Sequence, residues 1–392
     1  MLRNFYIYFL IGTFSALFMA CNSADENKNE LPNDKGFSDL KKDTGIKYAK
    51  RFAISENKNC TVLYLFGNSN IKDTTSVYII PKDSSIKFNG IKKNTFILKS
   101  RCKKIASLSS IYTTMLCHLN EIKNIVAIDN IDYYNDLSVI DKYNKQQLTE
   151  LYKNPEIDVE KTIVLNPDII FTFGNNDYDK GPNEKIIRSK IPVTVIFDHL
   201  EETPIARAEW IKFFAAFVNK KQMADSIFNE IEKNYLALKN IAQSAKTKPF
   251  VFTEIKYGDV WYVAGGKSFI ATYFNDANAD YIWKKNLKPG SIPLGFEEVY
   301  SKAKDADFWL NLSLLNSKKE LYSLDKRYAE FKAFKKGNLY NNNKYTNKKG
   351  YSIYWETGIL FPDKVLSDLI LIFHPELKSK IRNDFYYYKK LD

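Results

Sequence analysis

Histidine is scarce in this chain. There are three in 392 residues, His118, His199 and His374, and none stands at ligand spacing from another. A bare zinc or manganese ion needs several imidazoles and carboxylates around it, so direct metal capture is excluded and any iron must arrive already chelated. No cofactor is expected. Signatures of catalysis are missing as well. No Gly-x-Ser-x-Gly occurs, and three scattered histidines suggest no Ser–His–Asp order. Gly266-Lys267-Ser268 resembles the end of a phosphate loop, but Trp261 stands where that motif requires its first glycine. The chain is therefore read as a non-enzyme, although a pair of glycosidase carboxylates would leave no local signature. Cysteine is limited to four residues with no Cys-x-x-Cys pair, which removes the usual zinc spacings. No glycine interrupts residues 182–257, so a long stiff segment is allowed there.

The apolar run from Tyr6 to Phe18 is shorter than the roughly 20 residues a membrane span needs. It follows a basic start, Arg3, and ends at Met19-Ala20-Cys21. A small residue directly before a cysteine at the end of such a run resembles a bacterial lipoprotein cleavage site. The resemblance implies a signal peptide over 1–20, cleavage after Ala20, and diacylglycerol on the Cys21 thiol. Residues 21–45 then form a polar tether. Each buried acyl methylene adds about 0.8 kcal/mol, so several chains give a lasting anchor. The protein is expected in the periplasm or at the cell surface, held to a membrane by its lipid. Acidic Asp25-Glu26 just after the lipid site hints at the outer surface. The remaining Cys60, Cys102 and Cys117 are odd in number and cannot all pair within one chain; Cys60–Cys102 is a candidate bridge in an oxidising compartment.

The chain is rich in aromatics, with 27 Phe, 26 Tyr and 5 Trp, and carries a formal net charge of +12. Its length exceeds what one hydrophobic core usually organises, so two lobes are expected. Lysines scattered through Asn-rich loops, together with export, make nucleic acid the least suitable partner for the positive charge.

Residues 46–100 are rich in β-formers. The runs Cys60–Phe66, Ser76–Ile80 and Thr95–Leu98 read as strands of a small N-terminal sheet. Strand and helix patterns alternate from residue 101 to 202. Ile105–Leu108, Ile125–Ile128, Asp168–Phe173 and Val193–Phe197 are the strands, with Ser109 or Ser110 capping one helix and Asn166-Pro167 stopping another. Thr203-Pro204 opens a helical stretch over 203–246, with apolar residues at helical spacing and a break near Asn219-Lys220-Lys221. A second alternating lobe covers 247–392, beginning with Phe250–Glu254. This order argues for an α/β fold with parallel sheets and helices on their faces.

Lys104–Ser109, Ile125–Asp129 and above all Val159-Glu160-Lys161-Thr162-Ile163-Val164-Leu165-Asn166-Pro167-Asp168-Ile169-Ile170 resemble the substrate-binding proteins of ABC importers for iron complexes and vitamin B12. Trp261–Ser268 and Trp355-Glu356-Thr357-Gly358 resemble segments of Bacteroidetes-type lipoprotein members. The likeness covers roughly residues 101–377. It implies two Rossmann-like lobes joined by one long rigid helix, the class III architecture, with residues 46–100 as an extra β segment.

The resemblance further implies a monomer that captures a chelated-metal or corrinoid small molecule and passes it to an ABC permease with its ATPase. Ferric siderophore is the first choice, because the basic balance suits an anionic complex. Cobalamin or haem is the alternative in the same class, and a surface-anchored hydrolase or scavenging lipoprotein without a permease is the alternative of another class. Glu160 and Glu297 occupy the positions where the family carries one permease-docking glutamate per lobe, with Glu298 competing for the second. Large planar guests bind by stacking and apolar burial. The candidate ligand-binding residues are therefore aromatics in loops at strand ends: Tyr133 and Tyr134 in lobe one, and Tyr257, Trp261, Tyr262 and Trp355 in lobe two. Phe250, Phe252, Trp283 and Trp309 are expected in the core.

Overall fold

The computed structural model describes residues 41–42, 45–67, 74–83, 85–86, 88, 94–98, 101–153, 156–174, 184–382 and 384–392. The signal peptide, Cys21 and most of the tether lie outside them.

Five strands make the N-terminal sheet: β1 (Lys41–Lys42), β2 (Phe52–Glu56), β3 (Cys60–Phe66), β4 (Thr74–Pro81) and β5 (Thr95–Ile97). They are paired in chain order, antiparallel except for the parallel β4–β5 pair. Phe52 of β2 and Tyr78 of β4 turn inward against the connector described below. Cys60, Cys102 and Cys117 are not joined by disulfides, so the candidate Cys60–Cys102 bridge is not formed. Cys60 opens β3, whereas the backbone N–H of Cys102 is tied to the Phe217 carbonyl.

Lobe one contains β6 (Ile105–Leu108), α1 (Ser110–His118), β7 (Ile125–Ile128), α2 (Leu137–Asn144) and β8 (Thr149–Glu150). A short hairpin of β9 (Tyr152–Lys153) and β10 (Glu156–Ile157) follows, then α3 (Val159–Leu165), β11 (Ile169–Phe173), α4 (Glu184–Arg188) and β12 (Val193–Ile196). The parallel sheet has the order β12-β11-β6-β7-β8. From β6 the chain moves first to one side and later to the other, so the strand order reverses between β6 and β11. Asn166 takes the left-handed conformation that ends α3, as the Asn-Pro signal predicts.

The connector is three helices rather than one strut: α5 (Pro204–Ala208), α6 (Trp210–Phe217) and α7 (Lys221–Ala242). Thr203 caps α5 by accepting the Ala206 N–H at 3.2 Å. One turn residue, Glu209, separates α5 from α6, and left-handed Asn219 lies in the turn before α7. Trp210, Phe213, Phe214 and Phe217 recur at helical spacing on α6. They meet Phe52 and Tyr78 of the N-terminal sheet and Phe171 of β11 in edge and tilted ring contacts. Their burial explains why this helix sits inside the protein: each such ring contributes roughly 1.5–3 kcal/mol of transfer free energy.

Lobe two begins with β13 (Phe250–Thr253), followed by β14 (Lys256–Tyr257), β15 (Val260–Ala264), α8 (Phe269–Asp276), β16 (Asp280–Tyr281) and β17 (Ser291–Leu294). It continues through α9 (Phe296–Ala303), β18 (Phe308–Leu310), α10 (Lys318–Leu324), α11 (Lys332–Lys336) and β19 (Leu339–Asn341). It ends with α12 (Ile353–Thr357), α13 (Pro362–Phe373) and, near the C-terminus, β20 (Lys389–Lys390). The main sheet has the order β16-β13-β18-β19-β20, parallel except for β20, so its strand order reverses between β13 and β18. An antiparallel sheet, β14-β15-β17, lies beside it. The protein is thus a mixed α/β fold with two doubly wound lobes. Phe250, expected in the core, is half exposed at its strand's start, while Phe252, Trp283 and Trp309 are buried.

Candidate functional site

In open α/β sheets, ligands bind outside the carboxyl ends of the strands where the strand order reverses. In lobe one that point lies at Ser109 and Gly174, just after β6 and β11. In lobe two it lies at Glu254 and Asn311, just after β13 and β18.

The two lobes meet along a seam built from loops that follow carboxyl strand ends. The β7–α2 loop of lobe one reaches the segment after β19 in lobe two. Glu356 of α12 accepts the backbone N–H groups of Asn135 at 2.7 Å and Asp136 at 3.0 Å. Asn347 donates to the Asp132 carbonyl at 2.7 Å and the Tyr134 carbonyl at 3.3 Å. Burial raises the pKa of the Glu356 carboxyl, and the two backbone donors work against that rise. Loops that follow the carboxyl strand ends of both sheets thus touch across the seam.

The predicted aromatics divide into three groups. Tyr133 and Trp355 lie at the seam. Tyr133 is partly exposed and meets the Tyr351 ring edge-on at 4.9 Å. Trp355 is 49% exposed and stands edge-on to buried Tyr354 at 4.8 Å. Tyr257 and Tyr262 are exposed on the small sheet, Tyr257 at the turn through left-handed Gly258 and Tyr262 opposite Pro293. No ring contact joins them to the seam pair among the described residues.

Tyr134 and Trp261 correct the expectation. Trp261 is 0% exposed, its indole N–H donates to the Thr253 carbonyl at 3.0 Å, and its ring stacks near Trp309. Period-2 alternation on β15 turns Trp261 inward and Tyr262 outward. The Tyr134 ring is likewise buried, with its hydroxyl donating to Asp129 at 2.7 Å and within 3.1 Å of the Thr113 hydroxyl. Neither offers a ring face to a guest.

Sequence reasoning passed over Glu254, Asn311 and, except as part of a resembling segment, Glu356. The available signal was an acid directly after the apolar strand Phe250–Thr253. Glu254 is held in the left-handed region with φ of 67°, its N–H donating to the Leu310 carbonyl at 3.0 Å and its carbonyl accepting from the Trp309 indole at 2.7 Å. Burial pushes its carboxyl up to about 8, with a hydrogen bond from Asn311 opposing the shift.

Glu160 is exposed in the first turn of α3, whose cap Asp158 accepts the Lys161 N–H at 3.0 Å. Glu297 is exposed in the first turn of α9, its side chain 83% accessible. Arg327 approaches Glu297 at 3.4 Å but bonds Asp325 at 2.7 Å and lies over the Phe296 ring at 3.8 Å. Glu298 instead pairs along its helix with Lys302 at 3.2 Å.

The histidines stay apart: His118 against Phe361, His199 beside Phe197, and His374 buried on the Ala277 and Asn278 carbonyls. Among the described residues no cluster of His, Cys, Asp and Glu is arranged to hold a metal ion, and no helix is long and apolar enough to cross a membrane. A small groove lies between the N-terminal sheet and helices α6 and α7. Ile46, Ile54, Glu56, Thr61 and Lys212 line it, far in the topology from the strand ends.

Comparison with known proteins gives a consistent frame. The sequence profile of a family described as Periplasmic binding protein matches residues 105–346, more than half of the chain. An uncharacterised lipoprotein of Methanocaldococcus jannaschii is 33% identical over 239 residues, covering 59% of this chain and 54% of that relative. The match thus spans about half the length of that protein. A structure described as a possible iron-binding (periplasmic solute-binding) protein from Staphylococcus epidermidis superposes with a TM-score of 0.54 at 17% identity, over 70% of this chain and all of that one. A periplasmic haem-binding protein from Pseudomonas aeruginosa gives 0.53 at 16% identity, over 70% of this chain and 93% of that one. At such identities the likeness is one of fold.

Proposed function

The chain belongs to the periplasmic binding protein family, whose members are solute-binding proteins rather than enzymes, and from this we propose that it captures a ferric siderophore-type complex between its lobes and delivers it to an ABC permease. The observation that carries the reading is the contact between loops that follow the carboxyl strand ends of the two sheets, each sheet with its point of strand-order reversal, along a seam bearing the partly exposed rings of Tyr133, Tyr351 and Trp355. Flat partly exposed rings suit a large planar or aromatic-chelated guest by stacking and apolar burial. Binding involves no bond-making on the guest. The helical connector and the seam together favour a modest closure.

In this reading Glu160 and Glu297 are the two permease contacts. Both are exposed carboxylates at helix starts, one per lobe, and two separated charges fix orientation and favour encounter. Cys21 carries the lipid that keeps the protein at its membrane.

The test is a tryptophan-fluorescence titration of the purified chain with ferric catecholate and hydroxamate siderophores, haemin and cyanocobalamin. Saturable binding of a ferric siderophore below about micromolar, roughly −8 kcal/mol, is expected. Preference for haemin or cyanocobalamin would move the cargo within the class. Silence towards all of them would refute the reading.

A further inference from the structure

Glu254 stands at the reversal point of lobe two, where β13 and β18 end side by side. Three features set it apart from the acids around it. Its backbone is left-handed, as is that of its neighbour Asn311, with φ of 67° and 59°. A non-glycine residue in that region costs about a kcal/mol or more and persists only where the surroundings enforce it. Here the enforcement is visible in the Leu310 carbonyl and the Trp309 indole on either side of its peptide unit.

The second feature is the polar set around it. Asn311 receives the Tyr388 hydroxyl on Oδ1 at 2.8 Å, so its amide nitrogen is the group left to donate to Glu254. Tyr281 of β16, Tyr354 of α12 and Tyr388 near the C-terminus are the titratable groups whose charge Glu254 feels or perturbs. Tyr281 spends its proton on the Ala264 carbonyl at 2.7 Å. Among the described residues no Lys or Arg pairs with Glu254. The third feature is access. Asn311, Tyr281, Tyr354 and Tyr388 are buried, whereas Glu254 keeps part of its surface open.

An ionised carboxylate in this place has one amide donor and no cation, which is poor compensation for lost water. A neutral carboxylic acid fits better. It needs no compensating cation and has an O–H to donate. Resting on the reading that the guest enters the crevice, we propose that Glu254, as the neutral acid, donates a hydrogen bond to an oxygen acceptor of the bound guest. The guest is thereby assigned to oxygen-rich complexes, such as those presenting catecholate, hydroxamate or carboxylate oxygens at one edge. An ionised acid at the same point would repel such a guest.

The experiment compares wild type with Glu254→Gln in titrations with a ferric catecholate, a ferric hydroxamate and haemin. Glutamine keeps a donor but cannot ionise, and the comparison at each pH cancels the guest's own titration. The affinity ratio of variant to wild type is expected near one at about pH 6 and near tenfold at about pH 9, one unit above the residue's value. Calorimetry of wild type in two buffers of different ionisation heat supplies a readout without any variant: at about pH 8.5 binding takes up most of a proton. A ratio flat in pH, or no proton uptake, with binding intact, overturns this inference and leaves the crevice reading standing. A wild type that tightens with pH relative to the variant means a cationic guest group and also overturns it. If none of the probes binds, the crevice reading falls and this inference with it.

Discussion

The carboxylate of Glu356 in lobe two accepts the backbone N–H of Asn135 in lobe one at 2.7 Å, and with the adjoining Asp136 N–H it clasps the two lobes beside the proposed crevice. Replacing it by alanine leaves two N–H groups without their acceptor in a largely buried position. The expected loss is about 2–6 kcal/mol in urea unfolding, from one to three per orphaned group. The separation between spin labels placed on the two lobes should also broaden. An unchanged distance distribution would show that the clasp does not set the lobe angle.

A comparable arrangement fastens the N-terminal segment. Glu209 accepts the N–H groups of Lys47, Tyr48 and Ala49 at 2.7–2.9 Å, and Glu201 accepts those of Lys50 and Arg51 at 3.0–3.1 Å. Five successive backbone donors thus converge on two buried acids at the connector. Glu209→Ala also strips Lys212 of its carboxylate partner at 2.9 Å, leaving its ammonium the Gly45 carbonyl at 2.7 Å. A loss of about 3–5 kcal/mol is expected, the range for breaking a buried pair. A loss below about 1 kcal/mol in equilibrium unfolding would contradict this mooring.

Glu254 makes the stability of the guest-free protein depend on pH. Its folded value is raised to about 8 from an ordinary 4.5. Below the lower value both states are protonated and ionisation contributes nothing. Between them the unfolded chain is ionised while the folded chain holds its proton, so stability falls as pH rises, and above about 8 the fall is complete. The whole effect is on the order of 5 kcal/mol. Glu254→Gln removes it, so unfolding free energies at about pH 5, 7 and 8.5 should show the variant gaining on wild type. A constant difference would mean that Glu254 ionises as freely in the folded protein as outside it.

Charge reversal of Glu160 and Glu297 to lysine is expected to leave guest affinity unchanged and to abolish uptake in cells carrying the importer. Glu298→Lys should leave both guest affinity and uptake unchanged, since Glu298 is turned to Lys302 on its own helix. Uptake that survives the double reversal would remove these two acids from docking.

Much of the fold was legible because it rests on local patterns. Apart from the two-residue strands β8, β9 and β10, which the sequence reading missed, the strands from Cys60–Phe66 to Val193–Ile196 follow apolar runs bounded by turn residues, and α3 stops at Asn166-Pro167 as those residues dictate. The connector was legible as helical but not as three helices. Its first break, at Glu209, coincides with bonds to residues some 160 positions away, which no local pattern contains. Trp261 was misjudged because the two faces of β15 alternate and the sequence does not say which faces the core; Phe250 fails the opposite way, at a strand end. Glu254 went unnoticed because its setting comes from β18, Tyr281 and the C-terminal segment, which only the folded chain assembles.

The most direct measurement is a crystal structure of the protein grown with the tightest-binding ferric complex. The account predicts the intact complex between the carboxyl edges of the two sheets, within about 4 Å of Trp355 and within hydrogen-bonding reach of Glu254. A complex lodged instead in the groove beside the N-terminal sheet, or a crevice closed by the protein's own side chains, would contradict it.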